Sequence, residues 1–325
     1  MHALPPGLPQ SPHFTFHELA PGVFAAIATE AGAAVSNAGI VDLGDRTLVF
    51  DTSMTPQAAC DLRAAAQELT GRDPGIIINS HYHNDHIWGN QVFDARAHIC
   101  CSTKTLELIA TEGAGELSSA RETAARRLQD ARRQYEQIHD EAERRHQHMS
   151  VAYYQALVDA LPDLEVRLPD ITFEDRLFIH GSERGISVIP FAGAHTGSDA
   201  ILYLRRERVI FMADLLFVDF HPYLAEGNVE HLLHALTEIE KLQAATLVPG
   251  HGPVGTTSDL ELNMDYVSDC TQTAQRLVAA GDASPERIQQ EKIPDRFESW
   301  GLPRFFWVNI QSLCSRLGAP APGTG

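Results

Sequence analysis

The sequence predicts an α/β protein of the four-layer αββα type, with two sheets face to face, helices on both outer surfaces and a helical insertion between two halves. The first support is an internal echo. Residues 38–51 (AGIVDLGDRTLVFD) and 201–214 (ILYLRRERVIFMAD) both read as strand, short polar turn, strand and terminal Asp, which implies two similar halves rather than one doubly wound sheet. The second is that side chains able to bind metal fall in loops just past strand-like runs, where ligand loops of open α/β layers belong.

Taken in order, residues 1–15 read as a flexible arm and 16–325 as one domain. From Gly22 the pattern is β: Val23 to Ile27, Ala33 to Leu43, then Arg46 to Phe50, with Gly44-Asp45 as a hairpin turn. Thr55 to Thr70 is a helix with Thr55 as N-cap, Pro56 at its first position and Gly71 beyond its end. Gly75 to Asn79 is a strand, Ile87 to Phe93 helical, Ala97 to Cys101 a strand and Thr103 to Glu112 a short helix. Residues 117–160 lack Pro and Gly, carry apolar positions at helical spacing, and predict two helices that break between His146 and Ser150. His139, His146 and His148 lie on their solvated faces. From Glu165 the chain is β-rich again, with strands at 186–191, 200–204 and 209–212. A helix over 228–242, a strand over 245–248 and a helical extension over 257–318 follow.

The 325 residues are enough for one large domain, and 44% hydrophobic content describes a globular protein. A net charge of −18 disfavours nucleic acid backbones and anionic membranes as partners. No apolar stretch approaches the roughly 18 residues of a membrane span. The Pro- and Gly-containing start has neither a basic segment nor an apolar core, so a cytoplasmic location is expected. The five cysteines show no metal-ligand spacing and read as reduced thiols.

The chemistry is concentrated in His81-Tyr82-His83-Asn84-Asp85-His86, directly after the run Ile76-Ile77-Ile78-Asn79-Ser80. Histidines at i and i+2 of an extended segment point the same way, and Asp85 and His86 then enter from the following turn. One loop can therefore serve two adjacent metal ions. Imidazole and carboxylate suit Zn²⁺, and also Fe²⁺ or Mn²⁺, without thiolate. Three further candidates sit near strand ends: His195 in a Gly-rich loop, Asp214, and His251 in Pro249-Gly250-His251-Gly252-Pro253.

With these residues the chain resembles the metallo-β-lactamase superfamily, whose His-x-His-x-Asp-His motif is followed in order by His, Asp and His; the resemblance spans most of residues 22–255. It implies a binuclear site, with His81, His83 and His195 on one metal, Asp85, His86 and His251 on the other, and Asp214 bridging. It implies two zinc ions per chain and a hydrolase in which a bridging hydroxide attacks the carbonyl of a small-molecule ester, thioester, lactone or amide, with Asp85 orienting it. Asp214 stands where the cysteine-using β-lactamases have Cys, and His83 where redox di-iron relatives have Glu, so the chain looks more like the glyoxalase II and lactonase branches.

Around that set, Tyr82, Trp88 and the segment 217–223 are candidates for the pocket wall. His221 is a candidate proton donor to the leaving group, with a hydrogen-bonded loop histidine as its alternative. Asn90 reads as a turn residue and Asp51 as a residue that orients the histidine loop. The insert over 117–160 is expected to form a lid or wall, or else an arm for a homodimer. The alternatives to this reading are a mononuclear iron persulfide dioxygenase, a β-lactam hydrolase and a metal-stabilised binding protein.

Overall fold

The computed structural model describes residues 7–30 and 32–318. The first half opens with an antiparallel meander of β1 (Phe14–Ala20), β2 (Val23–Ala28), β3 (Ala38–Asp42) and β4 (Thr47–Phe50). α1 (Pro56–Thr70) crosses to β5 (Ile76–Ile78), which lies parallel to β4. Its ends follow local chemistry: Thr55 Oγ1 accepts the Ala58 N–H at 3.2 Å, Pro56 supplies a preset φ, and Gly71 closes the helix at φ 72°. The short α2 (Asn84–Ile87) and a 3₁₀ turn over Trp88–Val92 lead to β6 (His98–Ser102). α3 (Thr103–Leu108) passes through a π turn at Ile109–Gly113 into α4 (Ala114–Gln137), and α5 (Glu141–Ala160) folds back on it.

β7 (Ile171–Phe173) then returns to pair parallel with β6 and completes a seven-stranded sheet ordered β1 to β7. The second half comprises β8 (Leu177–His180), β9 (Gly185–Phe191), β10 (Asp199–Leu204), β11 (Val209–Phe217), α6 (Val229–Glu240) and β12 (Thr246–His251). These strands form a five-stranded sheet ordered β12-β11-β10-β9-β8, antiparallel except for β11 with β12. α7 (Thr257–Ala279), α8 (Pro285–Ile288) and α9 (Arg304–Arg316) follow.

The predicted layers are present. Val41, Leu48, Phe50 and Ile78 of the first sheet meet Val188, Leu202, Phe211 and Val248 of the second in an apolar seam. Close approach there needs Gly39, because a Cβ at that position would lie 2.6 Å from the Phe211 ring. α1 covers the outer face of the first sheet through Ala58, Leu62 and Ala66, and α6, α7 and α9 cover the second. The echo is structural as well: β3-β4-α1-β5 and β10-β11-α6-β12 are each a hairpin, a helix and a parallel strand that delivers a histidine loop.

Four expectations need correction. The segment read as an arm already pairs as β1 from Phe14, because Phe14 and Phe16 are buried against α1; residues 1–6 lie outside the described ones. The break in the insert falls at residues 138–140, not at 146–150, since Asp140 caps α5 by accepting the Glu143 N–H at 3.0 Å. The insert also begins earlier than 117, as α3 runs almost without interruption into α4. β11 continues past residue 212 to Phe217, so Asp214 lies within a strand, at a register shift opposite β12.

Candidate metal centre

The first histidine loop is held from below by Asp51, at the end of β4. Its carboxylate receives the Ser80 N–H (2.8 Å), the Ser80 hydroxyl (2.7 Å) and His86 Nδ1 (2.8 Å), the orienting role expected of it. With Nδ1 donating to Asp51, the Nε2 lone pair of His86 is turned into the site. His81 Nδ1 lies 2.9 Å from Ser80 Oγ, and His251 Nδ1 lies 3.2 Å from the Val35 carbonyl, so both rings also aim Nε2 inward. His83 is reversed: its Nε2 meets Glu226 Oε2 at 2.9 Å, which leaves Nδ1 facing His195 Nε2 at 3.3 Å. The His195 backbone N–H is anchored on Asp199 at 2.9 Å.

The inward atoms form two donor groups able to hold a metal ion: His81, His83, His195 and Asp214, and Asp85, His86 and His251, each group within 4.8 Å internally. Asp214 belongs to both by distance. Its Oδ2 lies 3.3 Å from His195 Nε2, while Oδ1 lies 3.1 Å from His86 Nε2 and 3.4 Å from His251 Nε2. Asp85 Oδ2 is 3.4 Å from His251 Nε2 and 3.7 Å from His86 Nε2. The seven residues expected from the sequence therefore converge.

This donor set fits divalent metal. Buried polar atoms normally have partners, yet His81 Nε2, His86 Nε2 and Asp214 Oδ1 are buried without a hydrogen bond. Burial and neighbouring histidines push His81 well below the usual imidazole range, and burial takes His195 down to about 4, so both are neutral lone-pair donors. Burial acts the same way on His86 and His251, but Asp214 and Asp85 outweigh it and raise both; Glu226 does so for His83. Burial also opposes charge on Asp214, and the adjacent His251 and His86 overcome it to hold that carboxyl well below its ordinary value. Without metal, protons on these histidines balance the carboxylates; a bound cation replaces them.

Backbone strain is concentrated here. Val35, Asp51, Ser53 and Ala213 all have positive φ (71°, 60°, 66° and 45°), at a cost of about 1–3 kcal/mol each. Each adjoins a candidate ligand or its hydrogen-bond partner. Gly250 is required beside His251, because a Cβ there would fall 1.9 Å from Asp214 Oδ1.

His221 is not part of this arrangement, which corrects its expected role as proton donor. It is fully buried, its Nδ1 lies 3.0 Å from Tyr266 Oη, and its ring packs on Tyr266, Trp300 and Phe306. Elsewhere in the same segment, Phe217 stacks on His251 at 4.8 Å and Tyr223 lies 6.5 Å from His195, so these two do line the centre. Asn90 lies in the 3₁₀ turn as expected, and its side chain is also a buried crosslink, bonded to Asn79, Thr52 and the Arg167 carbonyl. Trp88 is fully buried beneath the insert, whereas Tyr82 reaches Glu226 at 2.7 Å.

Sequence reasoning missed Glu226, Glu116 and Tyr153. Glu116 of α4 and Tyr153 of α5 stand beside Asn84 and Asp85, and burial pushes the Glu116 carboxyl up to about 7. Each is one charged or aromatic residue on an otherwise ordinary amphipathic helix or loop, and no spacing marks it. His139 and His148 are exposed and His146 half-buried, away from both donor groups.

A family model described as the metallo-beta-lactamase superfamily matches residues 31–251. Among solved structures, a metallo-β-lactamase from Pontibacter korlensis is similar at 14% identity and TM-score 0.58, covering 78% of this chain and 99% of its own. A metallo-β-lactamase from Erythrobacter litoralis, with β-mercaptoethanol in its active site, is similar at 15% identity and TM-score 0.57, covering 80% of this chain and 98% of its own. One from Pseudomonas aeruginosa in a mono-zinc form is similar at 13% identity and TM-score 0.55, covering 81% and 98%. No match was found among curated proteins. Among the described residues, no helix is long and apolar enough to cross a membrane.

Proposed function

The chain belongs to the metallo-β-lactamase superfamily, and on that premise we propose that it is a two-metal hydrolase, zinc-loaded, that cleaves the carbonyl bond of a small-molecule ester, thioester, lactone or amide. The observation that carries this reading is the division of Asp214, one oxygen toward each donor group. Held there, a pair of divalent metals supplies a hydroxide nucleophile near neutral pH and Lewis-acid stabilisation of the developing oxyanion. Asp85 orients the attacking oxygen and receives its proton; it is placed for this by Ser36, whose hydroxyl donates to the Asp85 backbone carbonyl. Asp51, Val35 and Glu226 keep the histidine rings turned so that no reorganisation is needed at the moment of reaction. α4 and α5 form a wall over the metal loop, bringing Tyr153 and Glu116 beside Asn84 and Asp85.

A mononuclear iron dioxygenase would leave Asp85, His86 and His251 without a purpose, although His86 and His251 are oriented as carefully as the first group. The similar solved structures are metallo-β-lactamases, but at 13–15% identity they speak to the fold alone. The test is a panel of esters, thioesters, lactones, amides and a chromogenic β-lactam offered to protein purified without chelator. Turnover of one carbonyl class, lost on chelation and restored by zinc, supports the reading. Oxygen consumption with iron, and no hydrolysis, would overturn it.

A further inference from the structure

α9 lies outside the stretch matched by the family, yet one of its faces is bonded to a loop of the metal centre. Asn309, Ser312 and Arg316, spaced i, i+3 and i+7, share that face. Asn309 takes the Leu224 N–H at 2.8 Å and donates to the Pro222 carbonyl at 2.8 Å. Ser312 donates to the Ala225 carbonyl at 3.2 Å. The Arg316 guanidinium donates to the carbonyls of Ala225, Glu226 and Gly227. The helix thus reads successive carbonyls of the loop that carries Glu226.

The opposite side of that loop is zipped to the segment bearing His195. Gly227 N–H reaches the His195 carbonyl at 2.8 Å, and Asn228 N–H reaches those of Gly193 and Ala194 at 3.0 Å. A Cβ on Gly227 would fall 1.9 Å from the Ala194 carbonyl oxygen, so the contact leaves no slack. Glu226 itself spans two successive residues of the histidine loop, accepting Tyr82 Oη–H at 2.7 Å and His83 Nε2–H at 2.9 Å. A carboxylate accepts only, so this bond fixes the His83 tautomer with its lone pair on Nδ1.

From this geometry we propose that Glu226 is a positioning residue that selects which nitrogen of His83 faces the first metal position, and that α9 holds it there through Arg316. The proposal rests on the metal-centre reading and names residues outside the ligand set. Losing Glu226 frees the His83 ring to rotate, which weakens one donor of the His81, His83 and His195 group and leaves the Asp85, His86 and His251 group intact. Changes of this kind cost about 10- to 100-fold in metal affinity.

The experiment titrates metal-free full-length protein with Co²⁺ and Zn²⁺, read by calorimetry and visible absorption, for wild type, Glu226→Ala, Glu226→Gln, Arg316→Met and Arg316→Lys. Circular dichroism and thermal unfolding of the metal-free forms check folding. The expected result is two equivalents in wild type, with one of them weakened about 10- to 100-fold in Glu226→Ala. Glu226→Gln, whose amide oxygen still accepts, should restore part of that loss; Arg316→Met should show a smaller loss and Arg316→Lys less again. Two equivalents at wild-type affinity in folded Glu226→Ala would overturn the positioning role. If Glu226→Ala fails to fold, unchanged binding in Arg316→Met overturns the anchoring by α9. A wild type that binds no metal would overturn this proposal together with the metal-centre reading.

Discussion

Asp51 shows how much of the centre depends on residues that touch no metal position. It is fully buried at φ 60°, and its two oxygens serve both the start of the histidine loop and His86. Asp51→Asn keeps the shape but removes the charged acceptor, so metal affinity is expected to fall about 10- to 100-fold by chelator competition; unchanged affinity would contradict the role. The seven converging candidate ligands were legible because six of them are histidines or a carboxylate in loops or at strand ends and the seventh, Asp214, closes an apolar run. Asp51 was legible for the same reason, as the polar terminus of an apolar strand. Glu226 was not, since one glutamate in a loop gains meaning only when a residue 143 positions away comes within 2.9 Å. His221 misled through its position just beyond Asp214, although its partners are aromatic residues of the C-terminal region, Tyr266, Trp300 and Phe306.

Burial takes His221 down to about 4, so the folded state binds its proton less readily than the unfolded chain does. Its contribution to stability is complete above about pH 6.5, declines as pH falls toward 4, and is constant below. His221→Gln should therefore flatten the acid limb of the stability profile relative to wild type in urea melts across pH 4–7. Parallel profiles would show that the ring is not buried as described.

Among the elements, the insert departs furthest from its sequence reading. Its break was legible in retrospect as Asp140-x-x-Glu143, a capping pattern that outweighs the weaker signal of the polar stretch near residue 146. The return of β7 to β6 was not legible, because a parallel pairing across some seventy intervening residues leaves no local mark. What the insert does is set by its inner face, where Ala124, Leu128 and Leu157 are buried and Leu157 joins Trp88, Ile87, Tyr82 and Met54 beneath the metal loop. Leu157→Ala should cost about 2–4 kcal/mol in urea unfolding through the cavity it leaves. A cost below about 1 kcal/mol would mean that the insert is detached from the loop it covers.

At the scale of the molecule, two hairpin-helix-strand units face each other across one apolar seam, and each supplies part of the centre: Asp51 and the first histidine loop from one, Asp214 and His251 from the other. The duplication was legible because both hairpin sequences repeat the same apolar pattern up to an aspartate, although β11 runs on past Asp214. The strain at Val35, Asp51, Ser53 and Ala213 lies where the units meet, and a metal bound to the native state would offset it by mass action. The central claim is that seven side chains hold two metals with Asp214 shared between them. Calorimetric titration of metal-free wild type and Asp214→Ala with zinc tests it directly. The account predicts two tight equivalents in wild type, and in the variant weakening of both by at least about 100-fold, since the loss of one carboxylate removes a ligand from each position. A single equivalent in wild type, or two undiminished equivalents without Asp214, would contradict it.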